Sequence, residues 1–567
     1  MLTVGLKLTQ SGGIAVLDGD RLVCHLEMQK LDNNRRYSDF DDLRLVPGLL
    51  ADYGYRPDQV DRWVIDGWDG ARKGRVDVWT EDGRDELLVA PYRETELVPD
   101  PVSPGHRGVV RIDGADRHYR SYVHAASHLS VAYATSPFAA RREPASVLVW
   151  DGGCFPRLYG VDPGGRVESA GAAFPLIGHA YSMFSQYFGP FARAAKSTHV
   201  DDLGVAGKLM AYIALGTPDK VVKDVLAEAF HEHFEADTAP ARDYRASIIG
   251  CGSTGEPSHH YVHGSLRDVV RRVARLGVSD EDVLASMHEF VADLLITRVT
   301  ETIRRQHGPE PRNLCFAGGC ALNIKWNSLL RAHPMIREMW VPPFPDDSGS
   351  AIGTACADLG SAGGLRAIDW HNRSGPRLRP TEQAPTGWSA RACTPTELGR
   401  LLHTSGEPIV VLNGPAELGP RALGARSSLA APVEPAMKDR LNHAKRREYY
   451  RPVAPICLVD EAPTIFAPGT PDPYMLFEHE VRPEWVDRIP AVLHLDGTAR
   501  LQTVGTADDP DLVTILRAYH EASGVPVLCN TSANLNGHGF FPDAGAAMDW
   551  GQVDLVWDTG TLYQRAR

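Results

Sequence analysis

The N-terminal residues carry the hydrophobic pattern of a β-meander. Residues 2–8 are mostly apolar and predict a strand, and glycine-containing turns at 12–13 and 18–19 separate it from two further apolar segments, 14–17 and 21–26. The Asp-Gly pair in the second turn is a strong hairpin signal, because Gly adopts the positive φ that a tight turn needs. We therefore expect three short strands joined by tight turns.

The same pattern recurs later in the chain. The apolar segment 147–150 ends at the Asp-Gly-Gly turn 151–153, and a further strand, 157–161, ends at a Gly-Gly turn, 164–165. Each unit is followed by sequence with helical periodicity. The pattern predicts an α/β fold whose N-terminal domain is internally duplicated.

A long helix is predicted from about 281 to 306. Ser279 and Asp282 have the spacing of an N-terminal capping box, and the segment 307–309 (His-Gly-Pro) supplies the usual stop signals. The apolar segment 314–317 then predicts a short buried strand that runs into a Gly-Gly pair. Helix, strand, glycine loop and helix in this order are common at nucleotide-binding sites.

The periodicity is lost between about 364 and 395, where Pro and Gly interrupt every helical or strand pattern. We predict a first domain at 1–365, a linker at 366–394 and a second α/β domain at 395–567. The second domain opens with the apolar strand 408–412.

Composition sets the class of protein. The 567 residues contain 59 basic and 72 acidic side chains, a net charge of −13, which argues against non-specific binding to nucleic acid or anionic membranes. The nine cysteines include no C-x-x-C pair and are typical of reduced thiols. No apolar run approaches the length of a membrane-spanning helix, and the N-terminus lacks a signal-peptide pattern. We therefore expect a cytoplasmic protein.

Two histidines and two aspartate turns suggest a metal site. His124 and His128 are four residues apart and share one helical face, although such a pair is often only structural. Asp151 and Asp347 follow apolar strands, where the carboxylates of an open α/β sheet project into functional sites, but each Asp also fits ordinary turn chemistry. A mixed His/carboxylate set suits Fe(II), Mn(II) or Zn(II).

Glycine loops offer candidate anion sites in the first domain. Gly318 and Gly319 allow close approach of a ligand to the backbone, and the following helix presents its N–H groups near Asn323. The loop 204–208 offers a similar arrangement with Lys208 as a point charge. Neither loop is a Walker motif, because no Gly-Lys-Ser/Thr follows.

The second domain concentrates cations in an acidic protein. Arg421 and Arg426 lie in the Gly-bounded segment 419–427, and Lys445 and Arg451 belong to a run with four cations in seven residues. Such runs are usually solvated faces, but the segment after Arg451 (Pro-Val-Ala-Pro) does not resemble a surface helix. Further polar segments follow two predicted strands and could hold phosphate and ribose: 494–503 with Thr498 and Arg500, and 530–534 with Asn530 and Ser532.

Together these motifs resemble the O-carbamoyltransferases of antibiotic biosynthesis and nodulation-factor modification. The matching motifs occur in order over nearly the whole chain: HAASH at 124, WDGG at 150, GKLM at 207, GGCALN at 318, PDDSG at 345, GPRALGARS at 419, KRREYYRPVAP at 445, DPYM at 472, DGTARLQTV at 496 and NTSAN at 530. The 419 and 496 motifs are the most specific.

The resemblance implies a fold and a reaction. It implies a duplicated actin-like N-terminal domain, similar to tRNA-threonylcarbamoyl transferases, and a smaller C-terminal domain of the YrdC type, similar to threonylcarbamoyl-adenylate synthases. The C-terminal domain would use carbamoyl phosphate and ATP, with Mg²⁺, to form carbamoyl-adenylate. The N-terminal domain would transfer the carbamoyl group to a hydroxylated natural-product acceptor.

The resemblance also implies residue roles. The metal ligands, for Fe(II), would be His124, His128, Asp347 and Asp151. The residues acting on carbamoyl phosphate and ATP would be Arg421, Lys445, Arg451, Arg500 and Asn530. The remaining nucleotide-binding residues would be Gly152, Gly153, Lys208, Gly318, Gly319, Asn323, Arg426, Thr498 and Ser532.

The chain departs from the family pattern near its first turn. Relatives usually carry His-Asp-Ala-Ser where this chain has Gln10, Ser11, Gly12 and Gly13. If that His helps to deprotonate the acceptor, another base must serve here. A small-molecule kinase of the actin-like superfamily is the alternative function, although it does not explain the arginine motifs. A non-catalytic nucleotide-sensing or scaffold protein that has kept the fold is a further alternative.

Overall fold

A computed structural model of the chain describes residues 1–567 except 32, 34, 35, 69–73, 93–100, 195–202, 251–255, 382, 507 and 567. The chain divides into two compact units. Unit 1 comprises Met1–His25 and Asp39–Trp370, and unit 2 comprises Leu26–Ser38 and His371–Arg567. The short segment 26–38 therefore belongs to unit 2, although it lies near the N-terminus.

The first sheet of unit 1 begins with the predicted meander. The strands up to residue 122 are β1 (Leu2–Lys7), β2 (Gly13–Asp18), β3 (Arg21–Glu27), β4 (Arg62–Asp66), β5 (Arg75–Thr80), β6 (Gly83–Leu88), β7 (His106–Ile112) and β8 (Ala115–Tyr122). Six of them form a sheet in the order β3-β2-β1-β4-β8-β7, while β5 and β6 pair separately. β1 is antiparallel to β2 and parallel to β4.

The second sheet of unit 1 repeats this arrangement. Its strands are β9 (Ala145–Val149), β10 (Arg157–Val161), β11 (Val167–Ala172), β12 (Arg312–Ala317) and β13 (Ile336–Trp340). The order is β11-β10-β9-β12-β13, with β9 antiparallel to β10 and parallel to β12. In both sheets the first strand of a meander pairs in parallel with a much later strand. The prediction of an internally duplicated α/β domain is confirmed.

Most helices before residue 370 belong to unit 1, whereas the four-residue helix within segment 26–38 belongs to unit 2. The helices before residue 370 are α1 (Met28–Leu31), α2 (Val46–Ala51), α3 (His124–Ala134), α4 (Pro137–Arg141), α5 (His179–Ser185), α6 (Val205–Tyr212), α7 (Lys220–Phe230), α8 (Ala239–Gly250), α9 (Glu256–Val273), α10 (Asp280–His307), α11 (Ile324–Ala332) and α12 (Ser350–Gly360). The long predicted helix is α10, and the Ser279 hydroxyl accepts a hydrogen bond from the backbone N–H of Asp282 at its start.

Helices α3 and α12 pack closely enough to require a glycine. A Cβ atom on Gly353 would lie 2.1 Å from the carbonyl oxygen of Ser127, so only Gly fits between the two backbones. All eleven residues of α3 and of α12 are buried. The close packing fixes the position of α3, which carries both predicted metal-binding histidines.

Unit 2 is built on a mixed sheet of eight strands. The strands of unit 2 are β14 (Trp388–Ala392), β15 (Ile409–Leu412), β16 (Arg426–Ala430), β17 (Ala454–Leu458), β18 (Phe466–Ala467), β19 (His479–Val481), β20 (Thr498–Ala499), β21 (Gln502–Val504), β22 (Val527–Ser532), β23 (Leu555–Asp558) and β24 (Thr561–Arg565). The sheet order is β14-β24-β23-β15-β16-β22-β17-β21, and β18, β19 and β20 form a small separate sheet. β14 lies inside the segment that the sequence analysis assigned to a linker, where it pairs with β24.

The helices of the second part of the chain are α13 (Pro395–Thr404), α14 (Ala436–Ala444), α15 (Ala462–Ile465), α16 (Pro483–Val486), α17 (Pro510–Ser523) and α18 (Ala544–Trp550). Within the described part of the chain, every helix is too short or too polar to cross a membrane.

Candidate functional site

The two histidines of α3 present their ring nitrogens to one point. His124 and His128 are 1% and 0% exposed, and their Nε2 atoms are 3.1 Å apart. Two nitrogens that each lie about 2.1 Å from one ion, at an angle near 95°, would be separated by about 3 Å. Their spacing therefore fits a shared metal ion.

Two carboxylates complete a set of four donors. Asp347 Oδ1 lies 3.3 Å from His124 Nε2 and 3.7 Å from His128 Nε2, and Asp151 Oδ2 lies 3.9 Å from His124 Nε2. One ligand atom from each of the four residues lies within 4.8 Å of the others, and all four residues are buried. This donor set fits a divalent transition metal such as Fe(II), Mn(II) or Zn(II).

Asp66, at the end of β4, orients the first histidine. Its Oδ2 lies 2.7 Å from His124 Nδ1, and Ser127 Oγ donates a hydrogen bond of 2.6 Å to its Oδ1. With the Nδ1 proton held by Asp66, His124 Nε2 is the nitrogen that can bind a metal. A carboxylate behind a ligating imidazole is the usual support for such a site.

A buried lysine from β1 joins the same cluster. Lys7 Nζ lies 2.9 Å from Asp66 Oδ2 and 3.5 Å from Asp347 Oδ2, and it sits 4.1 Å from the centre of the Trp68 ring. Lys7 is 1% exposed. Burial by itself would disfavour the ammonium form, but the two carboxylates favour it, so Lys7 places a positive charge beside the four donors.

Charge interactions dominate the titration of this cluster. Burial acts to raise the pKa of Asp347, but Lys7 and His124 outweigh it and hold that pKa well below its usual range. Burial acts to lower the pKa of His124, but Asp66 and Asp347 raise it to about 9. The pKa of Lys7 is raised by the carboxylates in spite of its burial. These groups keep one another charged.

Tyr92 and a glycine loop hold Asp151. The Tyr92 hydroxyl donates to Asp151 Oδ2, and the backbone N–H of Gly319 donates to Asp151 Oδ1 at 2.7 Å. Burial, followed by the charge of Asp151, raises the pKa of Tyr92 well above its usual value, so the hydroxyl remains a donor. Gly318 has φ 95°, and a Cβ atom there would lie 2.3 Å from the carbonyl oxygen of Trp150.

The other predicted nucleotide residues of unit 1 have different surroundings. The Asn323 side chain accepts hydrogen bonds from the N–H groups of Lys325 and Trp326 and so caps α11. Lys208 lies within helix α6 rather than in a glycine loop, which corrects the predicted loop at 204–208. Gly152 and Gly153 lie in the turn after β9, where the His179 ring occupies the space that a Cβ of Gly152 would need.

Unit 2 contains a cluster of cations around Lys445. Lys445 is 3% exposed, and its Nζ donates to Ser532 Oγ at 2.6 Å and to Asn534 Oδ1 at 2.7 Å. Burial, and then the neighbouring charges of Arg447, Arg36 and Arg451, hold the pKa of Lys445 well below its usual value. Lys445 thus has neutral hydrogen-bond partners and positively charged neighbours.

Five arginines share this environment. Burial, and then Arg451, lower the pKa of Arg447 to about 9, and burial together with Arg421 and Arg447 holds the pKa of Arg500 well below its usual range. Among the residues that the structure describes, the Nε–H groups of Arg447 and Arg500 have no hydrogen-bond partner. Like charges that disfavour one another in this way are complementary to a polyanion. We call Arg36, Arg421, Lys445, Arg447, Arg451 and Arg500 the cation cluster.

Three predicted residues of unit 2 make separate contacts. The Asn530 amide donates to Gln502 Oε1 at 2.7 Å and to the carbonyl of Ala422. The Thr498 hydroxyl donates to Glu478 Oε1 at 2.8 Å, and the Arg426 guanidinium donates to backbone carbonyl groups, including that of Gly414. Thr498 and Arg426 therefore have partners that already use their polar groups.

Sequence reasoning missed Lys7, Asp66, Tyr92, Arg36 and Arg447 as site residues. Lys7 and Asp66 did carry a signal, because each is a charged residue at the end of a strand and directly follows apolar residues. Arg447 stood in a motif that was recognised without being assigned a role. Tyr92 and Arg36 reach their sites only through the fold.

Comparison with known proteins finds matches along most of the chain. Residues 3–98 and 109–356 match the family model described as carbamoyltransferase N-terminus, and residues 401–557 match the model described as carbamoyltransferase C-terminus. Nodulation protein U of Rhizobium tropici is 48% identical over 569 residues, which cover 100% of this chain and 96% of that protein. Nodulation protein U of Sinorhizobium fredii is 46% identical over 568 residues, covering 100% of this chain and 99% of that protein.

A more distant relative carries a chemical name. The 3'-hydroxymethylcephem-O-carbamoyltransferase of Streptomyces clavuligerus is 32% identical over 581 residues, covering 100% of this chain and 99% of that protein. Two family models thus span most of the sequence, and the relatives match it from end to end. The chain is an enzyme and belongs to the carbamoyltransferase family.

Proposed function

We propose that this enzyme is an ATP-dependent O-carbamoyltransferase. Unit 2, which we infer to be related to threonylcarbamoyl-adenylate synthases, forms carbamoyl-adenylate from carbamoyl phosphate and ATP. Unit 1 transfers the carbamoyl group to a hydroxyl of a natural-product acceptor and releases AMP. The relatives named for nodulation and for a hydroxymethylcephem support a hydroxyl acceptor.

The reaction balances with one molecule of water. Water cleaves carbamoyl phosphate into carbamate and phosphate, and a carbamate oxygen then attacks the α-phosphorus of ATP and displaces pyrophosphate. The acceptor oxygen next attacks the carbamoyl carbon, and AMP leaves with the electron pair of the broken C–O bond. Adenylation helps because AMP is a well-stabilised leaving group.

The cation cluster is the observation that carries the proposal. Carbamoyl phosphate, ATP and pyrophosphate are all polyanions, and a set of buried like charges with depressed pKa values is complementary to them. Arg447 and Arg500 offer unused N–H groups for such a ligand. Lys445 is held in place by Ser532 and Asn534.

In unit 1 the residues that would hold a metal are His124, His128, Asp151 and Asp347, and we propose Fe(II). A bound divalent ion would supply Lewis-acid stabilisation of negative charge on the transferred group. Asp66 keeps the Nδ1 proton of His124 in place, and Tyr92 and Gly319 fix the orientation of Asp151. The side chains thus arrange the donors before any ligand binds.

The proposal is tested by incubating the protein with ATP, carbamoyl phosphate and a panel of polyol natural products. We expect AMP, pyrophosphate and an acceptor heavier by one carbamoyl group, read by mass spectrometry. Arg500→Met should reduce pyrophosphate release by about 100- to 1,000-fold, because a cation that stabilises developing charge is lost.

Arg440→Met is the matched control. Arg440 also lies in unit 2, but its side chain is 48% exposed and pairs with Glu407 at the surface, so pyrophosphate release should remain at the wild-type level. Formation of ADP and a phosphorylated acceptor would instead favour the alternative function, that of a small-molecule kinase. Failure to form AMP with any acceptor would contradict the proposal.

A further inference from the structure

Lys7 is not one of the four donors, yet its buried positive charge contributes to the charge balance of the metal site. Its ammonium group is in direct contact with Asp66 Oδ2 at 2.9 Å and with Asp347 Oδ2 at 3.5 Å. Asp66 supports His124 but contributes no ligand atom to the four-donor set, whereas Asp347 is one of the four donors. Lys7 therefore links the supporting carboxylate to a ligand carboxylate.

The buried charges can be counted. The side chains joined by these contacts are three carboxylates (Asp66, Asp151 and Asp347), one ammonium group (Lys7) and two imidazoles, which are neutral when they bind a metal. Three negative charges and one positive charge leave a net charge of −2. A divalent ion makes this set neutral, whereas a trivalent ion leaves one positive charge in a buried site.

We propose that Lys7 is a specificity-determining residue that makes the site selective for divalent over trivalent metal ions. Burial makes uncompensated charge expensive, so the preferred ion is the one that neutralises the cluster. Without Lys7 the same ligands would carry a net charge of −3 and would match a trivalent ion. The inference rests on the metal site of the proposed function, but it does not depend on the reaction that the site supports.

The surroundings of Lys7 support this role. The lysine is 1% exposed and lies over the face of Trp68, so water does not screen its charge effectively. The ammonium group contacts the ligand carboxylate of Asp347 as well as Asp66, so its positive charge acts directly on one of the four donor residues.

The test compares the binding of Co²⁺ and Ga³⁺ in competition, each supplied from citrate buffer, with bound metal counted by native mass spectrometry. The wild-type protein should prefer Co²⁺. Lys7→Met should shift the Ga³⁺ to Co²⁺ ratio by roughly 10- to 100-fold towards Ga³⁺, since a unit charge a few ångströms away acts more strongly on the ion of higher charge.

Two further variants distinguish an effect of the Lys7 charge from a structural effect of the side chain, and a third variant is the control. Lys7→Met combined with Asp66→Asn restores the net charge of −2 and should return the ratio to within a few-fold of the wild-type value. Lys7→Arg keeps the charge and should keep the preference for Co²⁺. Lys30→Met removes another buried lysine, which pairs with Glu27 in unit 2, and should leave the ratio unchanged.

Each outcome bears on the inference. An unchanged ratio in Lys7→Met overturns it, and so does loss of both metals in Lys7→Met without rescue in the double variant, which would make Lys7 structural. If the wild-type protein binds neither ion, the metal site itself is wrong. A shift towards Ga³⁺ with rescue in the double variant supports the inference even if no acceptor is carbamoylated.

Discussion

The two units bury charge in opposite ways. The cluster around His124 in unit 1 contains both signs, and neighbouring groups move the pKa values of Lys7, Asp66 and Asp347 in the directions that keep all three charged. The cation cluster of unit 2 contains mostly one sign, and burial and repulsion lower the pKa values of Lys445 and Arg500. The first cluster is partly compensated by its own residues and keeps a net negative charge, whereas the second has little negative charge of its own and is complementary to an anion.

This difference shows how one acidic chain can serve two kinds of ligand. A net charge of −13 describes neither site, because each site depends on side chains that the fold brings together. A metal site tolerates neighbouring anions as long as hydrogen bonds fix their geometry. A polyanion site gains most from cations whose repulsion is relieved when the ligand binds.

The largest expected effect is that of Asp347→Asn, which should impair the metal site of unit 1 and leave the cation cluster of unit 2 active. Metal affinity should fall by more than about 100-fold, because even the loss of an outer partner of a metal ligand costs 10- to 100-fold. Pyrophosphate release by unit 2 should persist. Metal content by inductively coupled plasma mass spectrometry and pyrophosphate by an enzyme-coupled assay measure the two quantities.

Asp346→Asn is the control for that experiment. Asp346 precedes Asp347 but is not one of the four donors, and its Oδ1 accepts a hydrogen bond from Ser348 at 2.5 Å. Metal affinity should stay within a few-fold of the wild-type value. If Asp347→Asn abolished metal binding and pyrophosphate release together, the separation of the two sites would be refuted.

A smaller effect is expected for Tyr92→Phe. The variant keeps the stacked aromatic ring beside His124 but removes the hydroxyl that donates to Asp151, so metal affinity should fall by about tenfold. Tyr122→Phe removes a comparable hydroxyl, which donates to Asp358 at 2.7 Å, and should leave metal affinity unchanged. Equal losses in the two variants would point to general destabilisation, which melting temperatures would reveal.

The smallest effect concerns pH and the cation cluster. Burial and neighbouring arginines lower the pKa of Arg447 to about 9, and a bound polyanion should raise it again. Above pH 9 the ligand-free protein has partly lost this proton, so binding must take one up and affinity should fall as pH rises. Between pH 8 and pH 10 we expect a several-fold loss of affinity for α,β-methylene-ATP by calorimetry.

Arg447→Met provides the comparison. It should bind the analogue more weakly at pH 8 and should lose the part of the pH dependence that comes from Arg447, so its affinity should change less between pH 8 and pH 10 than that of the wild-type protein. The same pH dependence in wild type and variant would assign the titration to another group. Circular dichroism at each pH would confirm that the fold is intact.

Much of the fold was predictable from local patterns. Gly-containing turns between apolar segments predicted both meanders of unit 1, and the stop signals at Gly308 and Pro309 located the end of α10, because turn and helix-end chemistry is local. Local signals failed at β14, whose residues are mostly exposed and which forms only by pairing with β24. Strand pairing over such a distance leaves little trace in composition.

The four residues of the candidate metal site were also identifiable from the sequence, but the residues that contact and orient them were not. His124 and His128 are one helical turn apart, so their shared face follows from the sequence. Tyr92 lies 59 residues before Asp151, and Arg36 belongs to unit 2 although it precedes most of unit 1. Such partners have no fixed spacing.

The sequence alone therefore determined the family, the α/β class and the residue types that could bind a cation or a polyanion, since these depend on motifs and local periodicity. Tertiary structure decided which charges lie together: Lys7 and Asp66 beside the histidines in unit 1, and Arg36 and Arg447 near Lys445 in unit 2. Electrostatic energies depend on distance and burial in three dimensions, and neither quantity can be read from positions along the chain.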